Sequence, residues 1–571
     1  MKLYLIAFTV IVSFSCSTFF NRTPANSNAE IHKPRHVIVT VHGLSGNAET
    51  WGHFSEITQN YLPLINPNYE VVISHFIYPT GVSEKLSTFD FANLLNQHIE
   101  SLFHDRPLQP DDKISLLAHS QGGLVSYIWF FSRILNDSLD QKYMKQVDSI
   151  ITLGTPFWGS KLASMLTDPA NIDLVPLVNL LGSPVTRREL KDMSFGSDAI
   201  HTFRQLAIKL DTDPALQSKL NSLPIRLINI IGLLPPAPKE GANPLLANNN
   251  AATASKLTKK AIHLVYKYFS NSDPDQKHIE SDIAVMVPSA RWNFIYAQPQ
   301  EITANKKIDP TTFHHFTNLV KNSKFITVES SHLPFDADNT LSMAYINKSC
   351  LKVEDCKHPT YRWILKHLAN CENINLSNLA GTSAHKPDCD KNEFEKIIQK
   401  MKVVNQEQYN ANLSITTALQ TYSVQIEMKL KAGEIFKFPV KYFIRDPKNQ
   451  DELNNWKLNE PSLLGKVINL HRDKSAKSIG SSSDKIIYVG PRSERRGVDI
   501  VSRESKDIAG NDIIRLNIVG YIKQTANQDS LENMTSIPIT ISLPGLPVVD
   551  MDIAIQPGYS TYIPLDYTQV K

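Results

Sequence analysis

Apolar residues arrive first in short unbroken runs, separated by stretches of helical period. Residues 35–42 (RHVIVTVH) are a β-branched run of strand length, the kind buried on both faces of a parallel sheet, and 71–78 (VVISHFIY) read as a second strand. Residues 87–103 place Phe91, Leu94, Leu95, Ile99 and Leu102 at helical spacing. A third run, 114–118, leads into a further helical pattern from Gly122 to Leu135, and strands are predicted again at 149–153, 225–231 and 325–329. Such alternation predicts a parallel sheet with helices on both faces. Between these elements, 234–255 is rich in Pro, Ala and Asn and reads as a loop. It leads to a basic amphipathic helix at 256–269, which would lie on a lipid surface or pack on the sheet with its lysines solvated. Residues 340–400 read as helical, for example 361–369. From about 413 the period changes to two. Alternating stretches at 413–431, 435–444, 485–489, 498–502, 513–522, 537–543 and 548–555, separated by Asn, Gly, Ser and Pro turns, predict an antiparallel β-sandwich over 405–571.

A length of 571 residues implies two or three domains, and 42% hydrophobic with 20% charged residues is the composition of a folded chain. The formal net charge of +3 gives no reason to expect nucleic acid as a partner. The N-terminus changes the picture more. Met1-Lys2 precedes an apolar run from Leu3 to Phe14, which reads as a secretory signal within 1–20 and is short for a membrane span. Cys16 stands where a bacterial lipoprotein is cleaved and acylated, although the usual leucine three positions earlier is missing; simple cleavage nearby is the alternative. Residues 21–34 would be a flexible tether. Cys350, Cys356, Cys371 and Cys389 form an even cluster, read in an exported protein as two disulfides with three pairings open. A zinc site using His358 or His385 competes, but no Cys-x-x-Cys knuckle is present.

The chemistry concentrates where strand must turn into helix. His119-Ser120-Gln121-Gly122-Gly123, preceded by Ala118, sets a serine among small residues, the pattern of a nucleophile elbow; an ordinary serine N-cap is the plainer reading. HGLSGN at 42–47, AHSQGG at 118–123 and LGTPFWGS at 153–160 occur in that order. Together they resemble the α/β-hydrolase fold, bacterial lipases and serine esterases in particular, over about residues 35–340. The resemblance implies an α/β-hydrolase segment over 35–400, with a cap or lid insertion at about 160–270 and the cysteine-bearing helical part at 340–400. It implies a triad in the chain order Ser, acid, His. Ser120 is then the nucleophile. Asp282, in ESDIAVMVPSA, is the acid, with Glu280, Asp273 and Asp275 as alternatives. His332, in SSHLPF, is the base, preferred to His314 and His315, which sit in an expected polar helical segment. Backbone amides of Leu44 and Gln121 would hold the oxyanion, the latter at a helix N-terminus. His42 and His119 would shape the loops.

The implied activity is hydrolysis of lipid esters, as a lipase or phospholipase, through an acyl-enzyme. A thioesterase or acyltransferase on the same triad, or a non-catalytic surface protein with a degenerate hydrolase domain, are the alternatives. No cofactor is required by such a mechanism; structural calcium occurs in some secreted lipases, with no ligands assignable here. The expected partners are a lipid ester and a membrane or lipid surface, at the bacterial outer membrane or cell surface or after secretion. The partner of the β-sandwich stays open.

Overall fold

In the computed structural model, the residues described are 33–136, 141–167, 185–234, 278–302, 307–308, 313–315, 323–332, 342–371, 389–401, 419–432, 440–444, 486–487, 499–521, 535–542, 546–547 and 549–570. The signal segment with Cys16, the tether up to residue 32, the basic helix at 256–269, Asp273, Asp275 and His385 lie outside them. Among the described residues, no helix is long and apolar enough to cross a membrane.

The six apolar runs become one sheet. Strands β1 (Arg35–Val41), β2 (Glu70–Phe76), β3 (Lys113–His119), β4 (Val147–Leu153) and β5 (Arg226–Leu233) are its first five members. The short strands β6 (Phe294–Ala297), β7 (Gln300–Glu301), β8 (Lys307–Ile308) and β9 (Phe313–His315) intervene before β10 (Ser323–Glu329) completes it. The order is β10-β5-β4-β3-β1-β2, and every pairing is parallel. Because side chains alternate along a strand, each strand feeds two cores. Val37, Val39 and Val41 face one side, with Phe91 and Leu95 of α2 (Thr88–Leu102) and the aromatic helix α3 (Gln121–Leu135). Ile38 and Leu117 face the other, with Phe54, Ile57 and Leu62 of α1 (Phe54–Ile65) and Tyr361, Ile364 and Leu365. Chain direction across the sheet reverses between β1 and β3, so their carboxyl ends flank the crevice where open α/β sheets bind ligands. The interval 160–270, expected as a cap, contains β5 of this sheet as well as the helix α4 (Lys161–Thr167), α5 (Arg187–Met193), α6 (Asp198–Thr212) and α7 (Pro214–Asn221). Ile200, Phe203 and Ala207 of α6 join the core of α3.

The C-terminal strands are β11 (Thr421–Leu430), β12 (Val440–Ile444), β13 (Ile486–Ile487), β14 (Asp499–Lys506), β15 (Asp512–Tyr521), β16 (Thr535–Ser542), β17 (Val549–Ile555) and β18 (Ser560–Asp566). They form two sheets, β14-β15-β11-β18-β6-β9 with β7 beside β18, and β13-β12-β16-β17-β8. Ile426, Met428, Leu516 and Ile563 of the first share a core with Met551, Ile553 and Ile555 of the second. Two features differ from the expected antiparallel sandwich. Strand β18 runs parallel to both β11 and β6. Strands β6 to β9 come from within 35–400, so hydrogen bonding crosses the expected division at 400–405; two to four residues cannot stand as a sheet alone, and they complete existing edges. One of these strands also corrects the helical expectation for His314 and His315. Both lie in β9, paired antiparallel with Tyr296 and Ile295, because this segment finds backbone partners in β6. The cysteines pair as Cys350–Cys356 and Cys371–Cys389, in the core beneath α1.

Candidate active site

The turn after β3 places Ser120 at φ 54°, ψ −124°, a left-handed conformation that costs a non-glycine residue about 1–3 kcal/mol. Its surroundings hold it there. The Ser120 amide donates to Leu153 O of β4 at 2.9 Å. Gly43 lies so close that a Cβ there would stand 2.7 Å from Ser120 Cβ, and one at Gly122 would strike the Val41 and His42 carbonyls. Small residues around the serine are thus required by the approach of the β1 loop to the start of α3.

That loop carries Leu44. It is fixed by Gly46 N–H donating to Gly43 O (3.0 Å) and Ser45 N–H donating to Thr80 Oγ1 (3.0 Å). The His42 ring locks it from beneath. Gly43 O can only accept, so His42 Nδ1 carries the proton it donates there (2.9 Å), and Nε2 accepts from Tyr78 N–H (3.3 Å). The ring stacks on Tyr78 at 4.3 Å, and burial lowers its pKa to about 4, so it is neutral at pH 7. Among the described residues, the amides of Leu44 and Gln121 donate to no protein group, and Gln121 opens α3, where free N–H groups and the helix dipole favour an anion.

Asp282 and His332 meet at the same carboxyl end of the sheet. His332 Nδ1 lies 2.9 Å from Asp282 Oδ2, and the His332 amide donates to Asp282 O at 2.8 Å. The other carboxylate oxygen, Oδ1, accepts from the amides of Ala284 (3.0 Å) and Val285 (2.8 Å). With both oxygens engaged, the carboxylate has one orientation. The turn that achieves this forces Ile283 to φ 94°, an outlier for a β-branched residue. Asp282 is fully buried, while Ser120 and His332 keep slight exposure of 7% and 6%. Gly154, at the end of β4, bridges the two halves of the site. It follows Leu153, whose carbonyl holds Ser120, and a Cβ on it would abut Asp282 Oδ2 and stand 2.9 Å from His332 Nδ1. His119 packs its ring 4.5 Å from that of His332; burial, then the His332 and His42 rings, hold its pKa well below the ordinary value.

Among the alternatives, Glu280 turns away from His332, accepting from the amides of Gln420 and Thr421. The LGTPFWGS loop braces the acid loop. Trp158 Nε1–H donates to Arg291 O (2.8 Å) and the Ser160 hydroxyl to Ala284 O (2.6 Å). No local pattern marks Met343, which stands beside Gly154, or the positive φ of Ile283. Gly43 was visible only as part of its motif.

Residues 31–174 match the family model described as "Putative serine esterase (DUF676)". No curated protein matches the sequence. Among solved structures, phospholipase PlaB from Legionella pneumophila is similar over 93% of this chain and 93% of its own, at 12% identity and a TM-score of 0.51. The lipase BlEst2 from Bacillus licheniformis in mature form matches 47% of this chain and 83% of its own, at 17% identity and a TM-score of 0.29. The fold is of the α/β-hydrolase type, and the resemblance is to a family of putative serine esterases and to a phospholipase.

Proposed function

We propose that the protein is a serine hydrolase of carboxylic esters, with lipid esters as its substrate class. The observation that carries this reading is the Asp282–His332 hydrogen bond at the carboxyl end of the sheet, where Ser120 is held in a strained elbow. In the mechanism, Asp282 keeps the proton of His332 on Nδ1, leaving Nε2 to accept the Ser120 proton as Oγ attacks the ester carbonyl. The new C–O bond places negative charge on the carbonyl oxygen, stabilised by the Leu44 and Gln121 amides; each such donor is worth about 2.7–4 kcal/mol of barrier. His332 returns the proton to the departing alcohol, and water, activated by the same imidazole, releases the acid and restores Ser120.

The lipid class is supported by the resemblance to lipases and by the rim of the site. Thr80, which receives the Ser45 amide, lies between Ile77 and Val82, exposed by 59% and 75%. The named activity of PlaB, a phospholipase, accords with a phospholipid substrate, and triacylglycerol is the other class to be assayed. Export through the N-terminal signal, with Cys16 as the lipidation residue, belongs to the same reading.

Labelling with a fluorophosphonate probe tests it, alongside a panel of short- and long-chain esters, triacylglycerols and phospholipids. Wild-type protein should label and hydrolyse, and Ser120→Ala should do neither. Folded wild-type protein that neither labels nor cleaves any ester refutes the proposal and favours a binding role.

A further inference from the structure

The seven-stranded sheet that ends the chain holds the loop carrying Asp282 by its backbone through a buried carboxylate. Glu280, 6% exposed, accepts from Gln420 N–H with Oε1 at 2.6 Å and from Thr421 N–H with Oε2 at 2.7 Å. Thr421 opens β11, which lies between β15 and β18. Both carboxylate oxygens are spent on consecutive amides, so the side chain grips the start of that strand from a single direction. On its own side, Glu280 belongs to a tightly bonded loop. Leu234 N–H donates to Ile279 O (3.0 Å) and Ser281 O (3.1 Å), Val287 N–H donates to Glu280 O (3.0 Å), and Asp282 N–H donates to Val285 O (3.2 Å). Nearby, Arg291 Nη2 donates to the hydroxyl of Tyr559, which immediately precedes β18, a second tie between this segment and the sheet.

We propose that Glu280 is a positioning residue, whose carboxylate, chelating the Gln420 and Thr421 amides, lets the C-terminal sheet set the orientation of Asp282 and so of His332. The inference rests on the hydrolase reading above. It also gives the C-terminal strands a role within the site: they hold a loop whose Ile283 sits in an unfavourable conformation and would otherwise relax. Burial raises the Glu280 pKa, against the hydrogen bonds from Thr421 and Gln420 that lower it, so the contact is costly to form and persists because each carboxylate oxygen accepts an amide hydrogen bond.

The test compares Glu280→Ala, Glu280→Gln and Met551→Ala in the full chain. Met551 is buried in the core shared by the two C-terminal sheets. On a soluble short-chain ester, Glu280→Ala should lower kcat by about ten-fold or more with KM within about two-fold, because a misplaced acid loop harms the transition state rather than ground-state binding. Glu280→Gln retains one acceptor oxygen and should recover part of that loss. Met551→Ala should lose stability in urea yet keep its kcat. Hydrogen exchange provides a readout independent of turnover: in Glu280→Gln or Glu280→Ala, the amides of Thr421, Ala284 and Val285 should exchange faster. Unchanged kcat in folded Glu280→Ala, or an equal kcat loss in Met551→Ala, overturns the proposal. If wild-type protein shows no Ser120-dependent hydrolysis, the hydrolase reading fails, and exchange alone then decides whether Glu280 holds the loop; unaltered exchange overturns that too.

Discussion

Replacing Gly154 by alanine probes the Asp282–His332 pair without substituting either residue. At φ 55°, alanine costs about 1–2 kcal/mol in backbone energy. Its Cβ would abut Asp282 Oδ2, 2.7 Å from Met343 Sδ and 2.9 Å from His332 Nδ1, where ordinary contact begins at 3.4 Å. Crowding of that order adds about 1–3 kcal/mol, for a total of about 2–5 kcal/mol of lost stability. The ring must also retreat by about half an ångström. As about 1 Å of misplacement costs on the order of a hundred-fold in rate, kcat should fall by about ten-fold or more. Gly510 supplies the matched control: it too has positive φ (83°), but a Cβ there meets nothing within 4 Å. Gly510→Ala should therefore pay the backbone cost alone and keep its kcat. Urea unfolding and ester turnover on the two variants give the comparison. If Gly154→Ala retains the kcat of Gly510→Ala, the placement of the acid and base beside Gly154 is wrong.

Asp282→Asn should keep the fold and lose about 10⁴-fold in kcat, since an amide in this position stabilises the wrong imidazole tautomer; a loss below about ten-fold in a kinetic assay would remove Asp282 from the triad. The His42 and His358 pKa values are lowered from 6.5 to about 4, chiefly by burial. The unfolded chain therefore takes up protons below pH 6.5 that the folded chain refuses. Stability should fall between pH 6.5 and 4 by on the order of 3 kcal/mol for each, and urea midpoints across that window should flatten in His358→Gln. Cys371 and Cys389 close a loop of 18 residues against 6 for Cys350 and Cys356. In the chain-entropy account, Cys371→Ser should cost about 3 kcal/mol and Cys350→Ser about 2 kcal/mol, and denaturant titrations giving the reverse order would contradict it.

The parts legible in the sequence are those where one local rule decides. Short, largely apolar runs mark strands whose two faces are both buried, and β1, β3 and β4 are of that kind. The elbow shows itself because Gly122 must pass beneath the Val41 and His42 carbonyls. The alternating stretches from 413 onward correspond to β11 through β17 for the same reason. Other elements owe their form to distant partners. Strand β18 contains Pro564, whose missing N–H argues against an interior strand, yet it pairs with β11 in register, opposite Glu427. Strands β6 and β9 hold four and three residues, too few to show a period, and exist because β18 and β6 offer them edges. Glu280 looked like a rival acid because its true partners, the Gln420 and Thr421 amides, lie far along the chain, where spacing carries no message. The disulfide pairing was open for a like reason: four cysteines admit three connectivities, and packing beneath α1 selects one.

The excursion between Asp282 and His332 has a consequence in time. Its strand β6 aligns Phe294, Ile295 and Tyr296 against Ser560, Thr561 and Tyr562. A ribosome adding about 5–20 residues per second emits that partner on the order of tens of seconds after β6 has left the tunnel. A chain grown past His332 therefore holds Ser120, Asp282 and His332, the proposed triad, while the strand that pairs with β6 is still to come. On the proposed reading, a nascent chain should gain full activity only once its last strands have been laid against β6.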